Sequence, residues 1–370
     1  MGNALSAEMT KRLATLKPGE RIDAAFALDI ARHAPLHLLG EAALRQRRAR
    51  HGDRAYYVYN QHLNYTNVCR NQCRFCAYFK RKGEDGGYTY TLEQARDLLQ
   101  ARMAHPIREI HIVGGLNPDL PYQYYLDLLA LCREVRPLAV IKAFTAVEVA
   151  HFADTTGRGE ATVLQEMQNA GLNVLPGGGA EVFAPAMRQQ LCPEKISADR
   201  WLYIHGLAHD MGMKTNCTVL FGHIESWEDR INHLERLRQL EDEKPGFVCF
   251  IPLAYQPRNN ALNAPGPTGE EYLRMIAVSR LFLDNIPHIK AYWAFVGIKA
   301  AQMALWAGAD DFDGTIVEEK IGHAAGADSP KGLTIAELVE VIAATGFTPI
   351  QRDTYFEEIQ PVSKQASINV

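Results

Sequence analysis

Apolar residues recur at helical spacing in IDAAFALDIARHA (22–34) and again in PLHLLGEAALRQRR (35–48), so the chain before residue 55 reads as a helical extension. A β-rich aromatic run, AYYVYNQHLNYTNVC (55–69), follows and ends in a cysteine. Beyond it, short apolar runs alternate with amphipathic stretches. TLEQARDLLQARMA (91–104) predicts a helix opened by a threonine cap, EIHIVGG (109–115) a strand ending in glycines, and YQYYLDLLALCREV (122–135) the next helix. Further strands are predicted at 139–146, 172–179, 214–222, 247–254 and 288–295, with a weaker eighth, ADDFDGT, at 309–315. This alternation predicts an α/β fold with a parallel sheet, and six to eight units without a break in composition favour a TIM-like (β/α) barrel, full or partial. Three parts are expected: a helical extension (1–54), the barrel (55–330) and a C-terminal segment (331–370) packed on it. QPRNNALNAPGPTGE (256–270), rich in Pro, Gly and Asn, is the expected long loop.

Composition narrows the function classes. With 370 residues, 47% of them hydrophobic, the chain can fill a large core, and its net charge of −4 offers no global field for nucleic acid or anionic membranes. The dense basic stretches are RQRRAR (45–50), which has no interleaved aromatics and reads as a solvated helix end, and KRK (80–82). The N-terminus lacks an apolar core followed by a small-residue cleavage site, and no run approaches the roughly 18 apolar residues that span a bilayer. Neither a nucleic acid nor a membrane partner is expected, and the expected location is the cytoplasm. Of seven cysteines, three fall within eight positions, which argues for a metal site in a reducing compartment. Cys132, Cys192, Cys217 and Cys249 read as small buried hydrophobes.

The cluster CRNQCRFC spaces Cys69, Cys73 and Cys76 as Cys-x3-Cys-x2-Cys. Thiolates suit iron–sulfur clusters or zinc, and a closed structural zinc site wants four protein ligands where this stretch offers three. An iron–sulfur cubane held by three thiolates leaves one iron open to a small molecule. Other candidate features stand at the C-terminal ends of the predicted strands: Gly114 and Gly115, then Thr145 and Glu148, residues 177–181, His223 and Glu225, and residues 255–258. In a parallel barrel those ends share the face on which active sites are built.

The cysteine motif is the signature of the radical S-adenosylmethionine (SAM) superfamily, and the chain resembles its members. That resemblance implies a radical SAM type of barrel and a [4Fe–4S] cluster on Cys69, Cys73 and Cys76, with SAM on the fourth iron. Phe75 matches the apolar position beside the adenine, and Tyr78 is an aromatic candidate for the cluster or adenine. Gly114 and Gly115 in VGGLNP resemble the motif that receives the methionyl amino group, and Glu181 in PGGGAE resembles the acid that meets the ribose hydroxyls. The alternatives are a zinc knuckle, which belongs to small modules, and a ferredoxin-like carrier, which needs a fourth cysteine.

A closer resemblance joins NYTNVCRNQCRFCAYF, HIVGGLNPDLPYQYYLDLL, IKAFTAVEVAHFA, LPGGGAEVF, IGHAAGADSPKGLT and QRDTYF. These look like the futalosine-pathway radical enzymes of menaquinone biosynthesis, more like the aminofutalosine-forming branch than the branch that cyclises dehypoxanthine futalosine. A deazaflavin synthase subunit acting on tyrosine is less similar. The resemblance implies addition of the 5′-deoxyadenosyl radical to 3-[(1-carboxyvinyl)oxy]benzoate, rearrangement and loss of CO2 to give 6-amino-6-deoxyfutalosine. SAM is then a co-substrate, and an external one-electron reductant is a partner. Such a substrate has two carboxylates and an aromatic ring, for which Arg258, Thr145 and the in-phase positions His62, Asn64 and Thr66 are the expected partners. His111 and His151 read as core or surface histidines without a role, and His323, Asp353 and Tyr355 match the family's C-terminal motifs. A radical must be kept from water. Either the 256–270 loop or the helical extension is the expected cover.

Overall fold

A computed structural model describes residues 2–316 and 320–359, so residues 360–370 of the expected C-terminal segment lie outside the described residues. Among the described residues there are ten strands: β1 (Arg54–Val58), β2 (Asn60–Leu63), β3 (Glu109–Ile112), β4 (Val140–Ala143), β5 (Val174–Leu175), β6 (Lys214–Phe221), β7 (Phe247–Ala254), β8 (His288–Ile289), β9 (Asp311–Gly314) and β10 (Thr348–Arg352). Seven of them, β2 through β8 in chain order, form one curled parallel sheet, and β10, β1 and β9 form a second. The order is what right-handed strand–helix–strand units produce when each strand adds beside the last. The edge of the large sheet is spanned by β9, where the Ala291 amide donates to the Asp311 carbonyl at 2.7 Å and the Asp310 amide to Ile289 at 3.0 Å. The result is a parallel partial barrel whose seam is bridged by hydrogen bonds.

The predicted first strand is two. Its first half, β1, pairs in parallel with both β9 and β10, and its second half, β2, pairs with β3. Thr315 marks the change of partner: its amide donates to the Val58 carbonyl and its hydroxyl bonds the Asn60 carbonyl at 2.7 Å. β10 has no counterpart in the sequence reading. TPIQR lacks alternation and contains Pro349, which an edge strand tolerates because its missing N–H need not enter a ladder.

Helix Tyr122–Val135 has the predicted bounds, while helix Leu92–Gln100 starts at the expected threonine but stops sooner. Thr91 and Gln94 satisfy each other's backbone amides in a capping box, and the same device starts helices Ala146–Thr156 and Trp227–Glu243. The helical extension lies on the barrel's flank, Leu36–His51 along Gly269–Phe282 and Ala24–His33 along Trp227–Glu243. Trp201 and Trp293 are among the large side chains wholly buried in the core. No helix among the described residues is long and apolar enough to cross a membrane.

Candidate active site

β2 leads into the cysteine loop, and neighbouring backbone clamps that loop. The Cys69 amide donates to Lys80, the Arg70 amide to Leu116 and the Arg74 amide to Leu191, each at 2.9 Å. The Leu116 amide points at the Cys69 sulfur at 3.3 Å. Cys69, Cys73 and Cys76 all line one cavity of about 320 Å³ that runs down the barrel axis. Burial pushes the Cys73 thiol well up, and it raises Cys76 too, against the backbone amides of Phe79 and Tyr78. A thiolate there requires positive charge, and metal coordination supplies it. Three thiols from one loop on one cavity wall suit a cubane that leaves one iron open, where a closed zinc site wants four protein ligands.

Glycines make the cradle beside the cysteines. A Cβ on Gly115 would sit 2.2 Å from the Val68 carbonyl oxygen, and one on Gly114 would sit 2.7 Å from the Tyr65 ring. Gly177 lies against the backbone of Asn216 and Cys217 just as closely, and Gly179 is left-handed with φ +84°. These positions bring backbone within reach of a ligand, as a nucleoside and an aminoacyl group in one cavity require. Glu148 sits beneath them, accepting from the Thr145 amide at 2.6 Å, the Tyr65 hydroxyl at 2.8 Å and the Gly114 amide at 3.4 Å. Burial raises its carboxyl to about 7 despite those bonds. Glu181 lines the same cavity in a left-handed conformation, φ 51°, and is ion-paired with Lys195, whose ammonium stands 5.2 Å from the Phe75 ring.

Of the residues singled out in the sequence, Phe75, Tyr78, Gly114, Gly115, Thr145, Glu181 and His62 join the three cysteines on the cavity wall. Three expectations are corrected. Asn64 lies beyond the end of β2 and spends its amide on the Val113 carbonyl at 3.0 Å. Thr66 bonds Tyr88 and Thr89, both at 2.7 Å, and so holds the cysteine loop instead of facing the lumen. Arg258 is exposed, its stem against Gly326. Alternation fails to carry His62, Asn64 and Thr66 to one side because the strand ends at Leu63.

His111 also departs from expectation: it lines the cavity and stacks on His62, ring centroids 4.8 Å apart. Burial, then Lys142 and His62, keeps its imidazole neutral. His151 is buried on helix Ala146–Thr156 and His323 bonds Ser329, both outside the cavity lining. Asp353 holds a C-terminal turn through the Tyr355 and Glu357 amides.

The sequence reading missed the charged lumen. Lys142 pairs with Glu109, and Lys290 pairs with Asp313 and, at 3.3 Å, with Asp311, which Arg352 of β10 also grips. Burial alone would raise Glu109, but Lys142, then Lys290 and Arg352, hold it below the ordinary carboxylate range. With Asn216 and Thr218 on β6, these groups point inward at every second position. That period, polar residues inside otherwise apolar strands, was the available signal, since ordinary barrel lumens are filled by Val, Ile and Leu. The group His51, His288 and Asp310 is a clasp at the strands' N-terminal ends: Asp310 is held by Arg280 and the Ile289 amide, and His51 bonds the Pro287 carbonyl.

The 256–270 loop packs on the cysteine loop, and of its residues Gln256 reaches the cavity wall, where Ile321, Gly322 and Ala325 also lie. The Ala261 amide donates to Arg74 at 2.8 Å, and Leu262 and Ala264 pack with Cys73, while the helical extension stays on the flank.

The radical SAM superfamily model matches residues 63–237, and the CofH/MqnC C-terminal region matches residues 244–365. An aminodeoxyfutalosine synthase of Thermus thermophilus is 40% identical over 92% of this chain and 93% of its own. A 5-amino-6-(D-ribitylamino)uracil–L-tyrosine 4-hydroxyphenyl transferase of Methanopyrus kandleri is 37% identical over 84% and 85%, and the cyclic dehypoxanthine futalosine synthase of Streptomyces coelicolor 37% over 92% and 86%. The crystal structure of methylornithine synthase, PylB, superposes with a TM-score of 0.72 at 18% identity, covering 92% of this chain and 97% of that one, which shows the shared fold. The chain therefore belongs to the radical SAM superfamily, in the branch that carries the CofH/MqnC C-terminal region and includes the aminodeoxyfutalosine synthases.

Proposed function

We propose that this chain is an aminodeoxyfutalosine synthase, joining the 5′-deoxyadenosyl group of SAM to 3-[(1-carboxyvinyl)oxy]benzoate with loss of CO2 to give 6-amino-6-deoxyfutalosine. The observation that carries the reading is near full-length 40% identity to the Thermus enzyme. A [4Fe–4S] cluster on Cys69, Cys73 and Cys76 supplies, when bound, the electron that splits the SAM sulfonium, and it takes that electron from an external reductant. The reaction belongs in the cytoplasm, a reducing compartment, which suits a chain whose seven cysteines are all free.

The chain's residues have separable tasks. Gly114 and Gly115 admit the aminoacyl end close to backbone, and Lys195 offers an ammonium to its carboxylate. Glu181 keeps Lys195 in place and has a second oxygen for the ribose. Phe75 gives the adenine an apolar face. The 256–270 loop and the aromatic residues Tyr255, Tyr292 and Phe295 keep water from the reacting carbons.

The test is the mass of the product from SAM and the enol-ether benzoate, with anaerobically reconstituted protein and dithionite. Incorporation of the adenosyl carbons with release of CO2 is expected. Free 5′-deoxyadenosine without an adduct, together with cyclisation of dehypoxanthine futalosine, would move the chain to its pathway sibling. Zinc in place of about four irons per chain would remove it from radical chemistry altogether.

A further inference from the structure

Among the described residues three lysines, two of them buried, stand on the cavity wall, and they are not equivalent. Lys290 already meets two carboxylates, those of Asp311 and Asp313. Lys195 stands at the rim beside Phe75, held by Glu181. Lys142 is 4% exposed and meets a single carboxylate among the described residues, that of Glu109. An ammonium has three donors, so Lys142 has capacity left on the cavity side. His111 lies next to it in register across β3 and β4 as an uncharged imidazole, and His62 stacks on that ring. Lys142 lies inside β4, and the chain turns at Phe144, φ 57°, before reaching Thr145 at the start of the next helix, so the ammonium is rooted below the rim.

We propose that Lys142, flanked by His62 and His111, seats the ring carboxylate of the aromatic substrate, so that the enol ether at the other end of the ring is held up at the rim. This deepens the function proposed above and rests on it. A carboxylate arriving at Lys290 would face two anions, and one at Lys195 would compete with the aminoacyl carboxylate already assigned to that ammonium. At Lys142 it shares a cation with Glu109 and meets the uncharged His111 on the other side. The lumen thus selects a benzoate over an uncharged aryl ring.

Substituting Lys142 alone would strand the buried Glu109 carboxylate and endanger the fold, so the informative variant is the pair Lys142→Met with Glu109→Gln, which keeps the lumen neutral. Binding to cluster-loaded protein, without reductant, is measured by equilibrium dialysis with the enol-ether benzoate and with its analogue lacking the ring carboxylate. The double variant is expected to lose roughly 10- to 100-fold in affinity for the benzoate, the range of a hydrogen-bonded charge, and no more than about 3-fold for the analogue. Glu109→Gln alone, which removes the competing anion, is expected to bind the benzoate at least as tightly as the parent chain. Equal losses for both ligands, an unchanged benzoate affinity in the double variant, or weakening by Glu109→Gln each overturn the assignment. If the parent chain neither binds nor converts the benzoate, the proposed function fails first, whatever the variants do.

Discussion

Replacing Gly115 by alanine tests the geometry of the cysteine loop at its tightest point. The new methyl carbon would lie 2.2 Å from the Val68 carbonyl oxygen, 2.7 Å from the Val68 carbonyl carbon and 3.0 Å from the Cys69 Cβ. Two of these are backbone atoms that no rotamer change can move. Reaching even 3.0 Å requires a displacement of at least roughly 0.8 Å between the 114–115 segment and the strand that delivers Cys69. Overpacking of this kind costs about 1–3 kcal/mol, so the variant should fold and melt a few degrees lower. The effect on chemistry should be larger, because misplacing reacting groups by about 1 Å costs on the order of 100-fold in rate. The movement also strains the Arg70 to Leu116 bond and the Leu116 amide on the Cys69 sulfur. The assay is iron and sulfide content after anaerobic reconstitution, followed by dithionite-driven release of 5′-deoxyadenosine from SAM. A folded Gly115→Ala chain that loads four irons and cleaves SAM within 2-fold of the parent would refute the reasoning.

Other perturbations give contrasting outcomes. Cys73→Ala should abolish cluster loading, whereas Cys192→Ala, which lies in the same small apolar cluster behind the loop, should load normally; metal analysis of the two distinguishes three thiolate ligands from four. Folding raises the Glu148 carboxyl from 4.5 to about 7, so the native state keeps a proton that the unfolded chain has released between those values. Its contribution, on the order of 3 kcal/mol, is fully present below about pH 4.5 and is lost as pH rises through about 7. Glu148→Gln should therefore gain stability relative to the parent between pH 5 and 7.5, and a melting-temperature difference that is flat with pH would contradict this. Arg352→Met removes the buried partner that ties β10 to Asp311 and should cost about 3–5 kcal/mol, read as the denaturant midpoint.

The sequence's alternation of short β-rich runs with amphipathic helical stretches located every strand that the large sheet contains. The cysteine spacing and the glycine pairs were equally legible, since each imposes a local requirement on the backbone. What failed was inference across breaks in regular structure. Thr66 was assigned to the lumen by alternation, yet its hydroxyl bonds the Tyr88 carbonyl, since the chain leaves β2 at Leu63. Arg258 looked like a carboxylate ligand by chemistry alone, and the loop turns it outward. Lys142 and Lys290 went unremarked because each is a lone charge in an apolar strand, and its meaning depends on partners from Glu109 and Asp313 that only the closed ring supplies. β10 pairs in parallel with a strand nearly 300 residues earlier, a distance over which local periodicity is silent.

That late pairing sets an order of assembly. The strand β1, which continues through β2 to Cys69, takes neighbours from residues 311–314 and 348–352, and the cysteine loop is fastened by Leu191 and Ala261. A ribosome has made most of the polypeptide before any of these contacts can close. Iron and sulfide delivered to the emerging cysteines would find them unsheltered, so loading should wait until translation is nearly finished, and truncation before residue 348 should leave a chain that carrier proteins cannot fill.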